Sequence, residues 1–252
     1  MTPIFDAGLR VSSLRALLVA VVLLSVPLVA SGTVSGTSIV PVSTPSMVSD
    51  PVVPAVTMAE PRPVSTDVLE LAFSAASCAV RAGSVQSPAT LTVIDYSKPS
   101  TEKRLWVFDM RTRAVLYEEL VAHGMGTGDN LASAFSNEPD SHKTSLGLFV
   151  TEGTYVGKNG YSLRLNGLDE GYNDRARERA IVMHGAPYVS EAFAQAQGRL
   201  GRSWGCPALR EAVARQLIDT VKGGNLVFAY YPDAQWLKTS QYLGDCAAAA
   251  QP

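Results

Sequence analysis

Gly198-Arg199-Leu200-Gly201-Arg202-Ser203-Trp204-Gly205-Cys206-Pro207-Ala208-Leu209-Arg210 is the stretch on which the reading of this chain turns. A cysteine follows a Ser-x-Gly step, and the apolar run Ile181-Val182-Met183 delivers His184-Gly185 upstream. Both residue types are scarce, three cysteines and three histidines in 252 residues. A thiol is a weak nucleophile at neutral pH until a base or a local positive potential favours the thiolate. A histidine at the end of a buried strand, facing a cysteine in a tight glycine turn, suits acyl transfer. Gly205 permits close backbone approach beside the nucleophile. Leu209 to Val221 has helical periodicity and Pro207 suits a first helical turn. Cys206 is therefore expected at a helix N-terminus, whose dipole and unpaired N–H groups favour a thiolate. The amides of Gly205 and Cys206 are the expected oxyanion hole, and His184 the expected general base.

His184-Gly185 followed by Ser203-Trp204-Gly205-Cys206 resembles the L,D-transpeptidases of the YkuD-like fold, in a divergent branch of murein L,D-transpeptidase catalytic domains. The family pattern is a histidine followed by a Ser/Thr-His-Gly-Cys box, and here residues 185–202 lie between His184 and Ser203. Lys143-Thr144-Ser145-Leu146-Gly147, Leu163-Arg164-Leu165-Asn166-Gly167-Leu168 and Gly171-Tyr172-Asn173-Asp174 support the likeness, which covers roughly Leu91 to Tyr231. Trp204 stands where the better-known branch has a histidine, and Pro207-Ala208 replaces an apolar-Asn pair. The resemblance implies a β-sandwich or barrel-like core. It also implies that a backbone carbonyl just after the histidine, here that of Gly185, orients the ring, so no acidic third member is required. It implies a peptidoglycan stem tetrapeptide as donor, an amine or wall protein as acceptor, and no cofactor.

The remaining residues of the box carry open alternatives. Ser203 is a substrate contact or a local capping serine. Trp204 stacks on a peptide stem or fills the core. Arg202 and Arg210 pair with a substrate carboxylate or lie on the surface. Tyr188 lines the pocket or merely packs. His123 and His142 share no metal-ligand spacing with His184 or the cysteines, so no metal site is expected. Cys78 and Cys246 flank the domain, and an oxidising compartment would allow them to pair; sequence cannot test their separation.

Lys and Arg number 21 against 23 Asp and Glu, a net charge of −2. That balance gives no basic excess for a nucleic-acid partner. Residues 1–32 read as a secretory signal: Arg10 and Arg15, the apolar run Ala16 to Ala30, then the small residues Ser31-Gly32. The apolar run falls short of the ~20 residues that span a bilayer comfortably, so cleavage is favoured over an anchor, and the signal is the only membrane contact expected. The protein is accordingly expected in the periplasm or cell envelope. Residues 33–66, rich in Pro, Ser, Thr and Val, read as an extended linker, and residues 67–246 as the catalytic domain.

Within that domain the pattern predicts a helix over Val68 to Ala82 capped by Asp67, and strands at Leu91–Tyr96, Leu105–Met110, Ala114–Val121, Ser145–Glu152, Tyr161–Leu165, Ala180–Met183 and Asn225–Tyr231. Helices are expected at Glu191–Gln197 and Leu209–Val221. Many short strands with a few helices make a mainly β (α+β) domain. The glycine cluster Gly124, Gly126, Gly128 lacks the Lys-Ser/Thr of a phosphate loop.

Two other readings compete. Sortases also place histidine before cysteine and arginine after it, which His123, Cys206 and Arg210 would mimic; they carry a Thr-rich strand before the cysteine, not a Gly-Arg-Ser-Trp-Gly turn. A catalytically silent peptidoglycan-binding module would keep the pocket without needing a reactive thiol. Papain-like wall peptidases place cysteine before histidine, the reverse of this order.

Overall fold

The computed structural model describes residues 63–243 and Cys246. The expected signal peptide, and the linker up to residue 62, lie outside the described residues. Within them, strands β1 (Thr90–Asp95), β2 (Leu105–Asp109), β3 (Val115–Glu119), β4 (Val121–Ala122), β5 (Gly147–Gly157), β6 (Gly160–Gly167), β7 (Val182–Ala186), β8 (Ala208–Arg210) and β9 (Leu226–Tyr230) form one sheet. Its order is β3-β2-β1-β9-β5-β6-β7-β8-β4. β1/β9 and β7/β8 are parallel, and the other neighbours antiparallel. The edge strands β3 and β4 are separated in sequence by Leu120 alone, so the sheet must curl until its edges nearly meet. Closure of this kind removes the exposed edges that invite aggregation.

Two arginines fasten the seam. Arg104 is wholly buried; its amide bonds to the Glu119 carbonyl at 3.1 Å, and its Nε and Nη2 donate to the Val121 carbonyl at 3.1 and 2.9 Å. Arg210 of β8 forks onto the Glu119 carboxylate at 2.8 and 2.7 Å. A bidentate charged pair adds directional specificity as well as energy.

The central strands are apolar on both faces. Leu91, Val93, Trp106, Phe108, Leu148 and Phe228 pack with helix α1 (Thr66–Arg81) and with Trp236 of α4 (Ala234–Thr239). The alternate residues Ile94, Leu105, Val107, Phe149, Val227 and Ala229 pack with Leu217, Ile218 and Val221 of α3 (Glu211–Val221). Double burial explains why these strands read as continuous apolar runs. Ser65, not Asp67, caps α1, its side chain accepting from the Val68 amide, because the helix starts two residues earlier than expected. Cys78 on α1 and Cys246 form a disulfide with Cα atoms 5.7 Å apart.

The fold is mainly β, as expected. The expected strand Ala114–Val121 breaks at Leu120, because its two parts join opposite edges of the sheet. The strand delivering His184 is β7, which runs on through His184 and Gly185. The expected helix Leu209–Val221 starts only at Glu211, because Ala208–Arg210 is drawn into the sheet beside β7. α4 went unanticipated, while α2 (Glu191–Gln197) lies where periodicity put it. Among the described residues, no helix is long and apolar enough to cross a membrane.

Candidate active site

The turn before β8 is stitched by its own residues. Ser203 Oγ accepts from the Gly205 amide at 3.1 Å and donates to the Cys206 carbonyl at 2.7 Å. The Ser203 amide donates to the His123 carbonyl, and the Ser203 carbonyl accepts from Met125. Thr144 Oγ1 donates to the Gly205 carbonyl at 3.3 Å, tying the Lys143-Thr144-Ser145 segment to the turn. Gly205 has φ +116°, and a Cβ there would stand 2.8 Å from the Lys143 carbonyl oxygen and 3.0 Å from Ile181 Cδ1. Only glycine fits such a backbone without strain.

Parallel pairing of β7 with β8 sets His184 opposite Ala208. Side chains alternate along a strand, so His184, Ala186 and Ala208 share a sheet face, while Met183 and Leu209 point into the core on the other. Cys206 precedes Ala208 by two positions. His184 Nδ1 lies 2.9 Å from the Gly185 carbonyl oxygen. A carbonyl can only accept, so Nδ1 carries the proton and Nε2 is the basic nitrogen. Burial pushes His184 below its ordinary range, against the opposing pull of the Gly185 carbonyl. The ring lines a cavity of about 330 Å³ with Lys158, Asn159, Tyr188 and Glu211.

The Cys206 sulfur is buried and points to backbone: it accepts from the Val182 amide at 3.5 Å and donates to the Ala180 carbonyl at 3.8 Å. The His184 ring is not among its hydrogen-bond partners. Burial pushes the thiol up, while the Val182 amide and the Arg179 charge pull it down. The expected helix-terminus activation is thereby corrected. α3 begins beyond β8, and a helix dipole acts only within about its first turn. At neutral pH the pair is a neutral thiol and a neutral imidazole.

The other sequence candidates divide. The Gly205 amide is engaged by Ser203, which corrects its assignment to an oxyanion hole. Ser203 spends its hydroxyl within the turn, the capping alternative. Trp204 is not core: it is 65% exposed and stacks on His142 at 4.8 Å, with Lys158 Nζ 5.8 Å from its ring. Tyr188 packs against Gly201, where no Cβ would fit, and lines the His184 cavity. Its hydroxyl is pushed up to about 12 by burial and by the neighbouring Cys206. Arg202 binds Asp129 at 2.8 Å and the Gly128 carbonyl at 3.0 Å, and Arg210 binds Glu119, so both guanidiniums already hold partners within the chain. His123, the sortase-like alternative, faces Arg104 through Nδ1 at 2.9 Å and the Gly128 carbonyl through Nε2 at 3.3 Å. No group of three or more metal-ligating side chains converges among the described residues.

One residue beside the nucleophile turn had no sequence signal. Arg179 lies in the charged run Arg175-Ala176-Arg177-Glu178-Arg179, which reads as a solvated segment. Its neighbours bond outward, Arg175 to Glu138 and Glu178, and Arg177 to Glu152, while Arg179 turns in toward the Gly205-Cys206 turn.

The sequence profile of the L,D-transpeptidase catalytic domain family matches residues 60–230. No curated protein matches the chain significantly. Among solved structures, an L,D-transpeptidase from Mycobacterium smegmatis is 16% identical with a TM-score of 0.35, covering 57% of this chain and 59% of its own. An L,D-transpeptidase from Stackebrandtia nassauensis is 17% identical with a TM-score of 0.36, covering 64% and 67%. The helical cell shape determining protein Pgp2 (K307A mutant) of Campylobacter jejuni is 11% identical with a TM-score of 0.41, covering 71% and 60%. The chain thus spans 59% of the length of the first of these relatives.

Proposed function

The chain belongs to the L,D-transpeptidase catalytic-domain family, and we propose that it is an exported cysteine acyltransferase acting on peptidoglycan stem peptides in the periplasm or cell envelope. Cys206 is the nucleophile and His184 the base. The observation that carries this reading is the His184 ring, held by the Gly185 carbonyl with Nε2 as its basic nitrogen, on the sheet face it shares with Ala208 just past Cys206.

The two neutral groups dictate the order of events. The sulfur leaves the Ala180 carbonyl and turns toward the cavity that His184 lines. His184 Nε2 takes the thiol proton as sulfur attacks the carbonyl between the L-centre of the third stem residue and the terminal D-residue. The oxyanion is met by the Cys206 amide. Collapse breaks the C–N bond, the departing amine takes the proton from His184, and a thioester remains on Cys206. An acceptor amine then gives a cross-link or an attached wall protein; water gives carboxypeptidase activity. Tyr188, which lines the cavity, and the exposed Trp204, whose ring lies 5.8 Å from Nζ of the cavity residue Lys158, are the substrate contacts. No cofactor enters any step.

The sortase-like reading is weakened because both His123 nitrogens are engaged by Arg104 and Gly128. A silent binding module is favoured by one observation, the resting sulfur bonded to backbone. Incubation with tetrapeptide muropeptides, read by intact mass, separates the two. The acyltransferase reading expects release of the terminal D-residue and an adduct that disappears in Cys206→Ala. Bound muropeptide with neither adduct nor release would establish the silent module instead.

A further inference from the structure

The residues from Arg179 to Val182 wrap the Cys206 sulfur. The Ala180 carbonyl and the Val182 amide both touch it. Ala180 has φ +52°, a left-handed conformation uncommon for a residue with a Cβ, so this bend is held by its surroundings. Arg179 Nη2 stands 3.4 Å from where a Cβ on Gly205 would be, on the residue next to the nucleophile.

The manner in which Arg179 is held is the informative part. Nη1 donates to the Ser136 carbonyl at 2.7 Å and Ser145 Oγ at 2.5 Å. Nη2 donates to the Lys143 carbonyl at 2.6 Å and Ser141 Oγ at 3.3 Å. All four acceptors are neutral. Arg202 and Arg210, by contrast, are neutralised by Asp129 and Glu119. Arg179 is therefore fixed in direction and half-buried, with its charge uncancelled by any bonded carboxylate among the described residues. A fixed, partly desolvated cation one residue from a nucleophile acts through space on whatever negative charge develops there.

We propose that Arg179 is the positioning charge of the nucleophile turn, stabilising negative charge on Cys206 as its proton passes to His184. This deepens the acyl-transfer reading and rests on it. The S–H bond breaks, the proton moves to His184 Nε2, and the electron pair left on sulfur faces the guanidinium until the new S–C bond forms. The ionisable groups that act on Cys206 are Arg179, Tyr188 after β7 and Tyr96 after β1, while His184 stands on the β7 face it shares with Ala208. Both tyrosines are pushed up by burial and stay neutral at working pH. Arg175 and Glu138, the charged groups near Arg179, are paired with each other at 2.7 Å. Arg179 is thus the one cation among these groups at neutral pH.

The test is the pH dependence of Cys206 alkylation by iodoacetamide in the full chain, which needs no substrate. Arg179→Gln should move the midpoint up by about one unit or more, and slow alkylation at pH 7 by about tenfold or more. Arg179→Lys, which keeps the charge without the fork, should recover part of the shift. A purely structural role would change the rate equally at every pH; an unmoved midpoint overturns the proposal. If Arg179→Gln does not fold, Ser145→Ala decides. It loosens one anchor and keeps the charge, so a smaller upward shift supports the proposal and an unmoved midpoint overturns it. A shifted midpoint in a protein that never forms a muropeptide thioester would keep the Arg179 assignment and sink the acyl-transfer reading. A thioester formed by an Arg179→Gln protein with an unmoved midpoint would do the reverse.

Discussion

Replacing His123 with glutamine should flatten the acid limb of the stability profile. Arg104 is fully buried and, though burial pushes it down to about 10, it remains charged throughout the acid range. It donates to His123 Nδ1 at 2.9 Å, so Nδ1 must present a lone pair and the Nε2 proton faces the Gly128 carbonyl at 3.3 Å. Burial, then the Arg104 charge, push His123 down to about 4 from the usual 6.5. The unfolded chain therefore binds this proton before the folded one as pH falls. The stabilisation is complete above pH 6.5 and is lost as pH falls through the interval down to about 4. Linkage over that interval puts the loss at about 2 kcal/mol by pH 5 and about 3 kcal/mol by pH 4. Urea unfolding from pH 7.5 to 4, on wild type and His123→Gln, isolates the effect, because other groups titrate in both proteins and cancel in the difference. The stability gap between the two should shrink by those amounts. Parallel profiles, agreeing within about 0.5 kcal/mol at every pH, would refute the neutral His123–Arg104 pair.

Cys206→Ser should lose more than ~10³-fold in stem-peptide turnover with the fold intact by circular dichroism, since removal of a triad-type nucleophile costs that much; near-normal turnover would remove Cys206 from the mechanism. His184→Ala should slow acylation by about 10²–10⁴-fold, whereas His123→Gln keeps most of it near pH 7.5, both read by the rate of adduct formation. Because His184 is held below its ordinary range, wild-type acylation should stay at full rate down to a midpoint under pH 6.5 and fall as His184 is protonated; a midpoint above 6.5 would contradict its burial. Opening the Cys78–Cys246 bridge, by Cys246→Ala, removes a link across 168 positions. Loop-closure entropy puts the cost at up to about 5 kcal/mol, measurable as a lower urea midpoint. Protein recovered from the envelope should have lost residues up to about 30–32 by mass, as the small residues after the apolar run imply; a full-length mass in the membrane fraction would show an anchor instead.

Much of the candidate site's local structure was legible because it is written locally. The Ser-x-Gly-Cys turn needs Gly205 and, two positions before it, a serine whose hydroxyl accepts from the Gly205 amide and donates to the Cys206 carbonyl, and Ser203 does both. The apolar run before His184 marks a buried strand, and the apolar stripe over residues 68–79 marks α1. These signals depend on side-chain period and turn chemistry over a few residues, which a chain carries without knowing its fold. Tertiary structure decided the rest. Whether Ala208-Leu209-Arg210 opens a helix or adds a strand depends on β7 lying alongside, and that choice removed the helix dipole from Cys206. Nothing in the sequence distinguishes Arg104 and Arg210 from solvated arginines; only curling of the sheet brings Glu119 and Val121 to them. Arg179 likewise turns from a charged run toward the nucleophile turn only because its four acceptors come from residues 136–145, which the fold brings alongside. Local pattern determines which residues can be helix, strand, turn or nucleophile; the closing of the sheet determines which charges meet, because Coulomb and hydrogen-bond energies depend on distances in space, not on spacing along the chain.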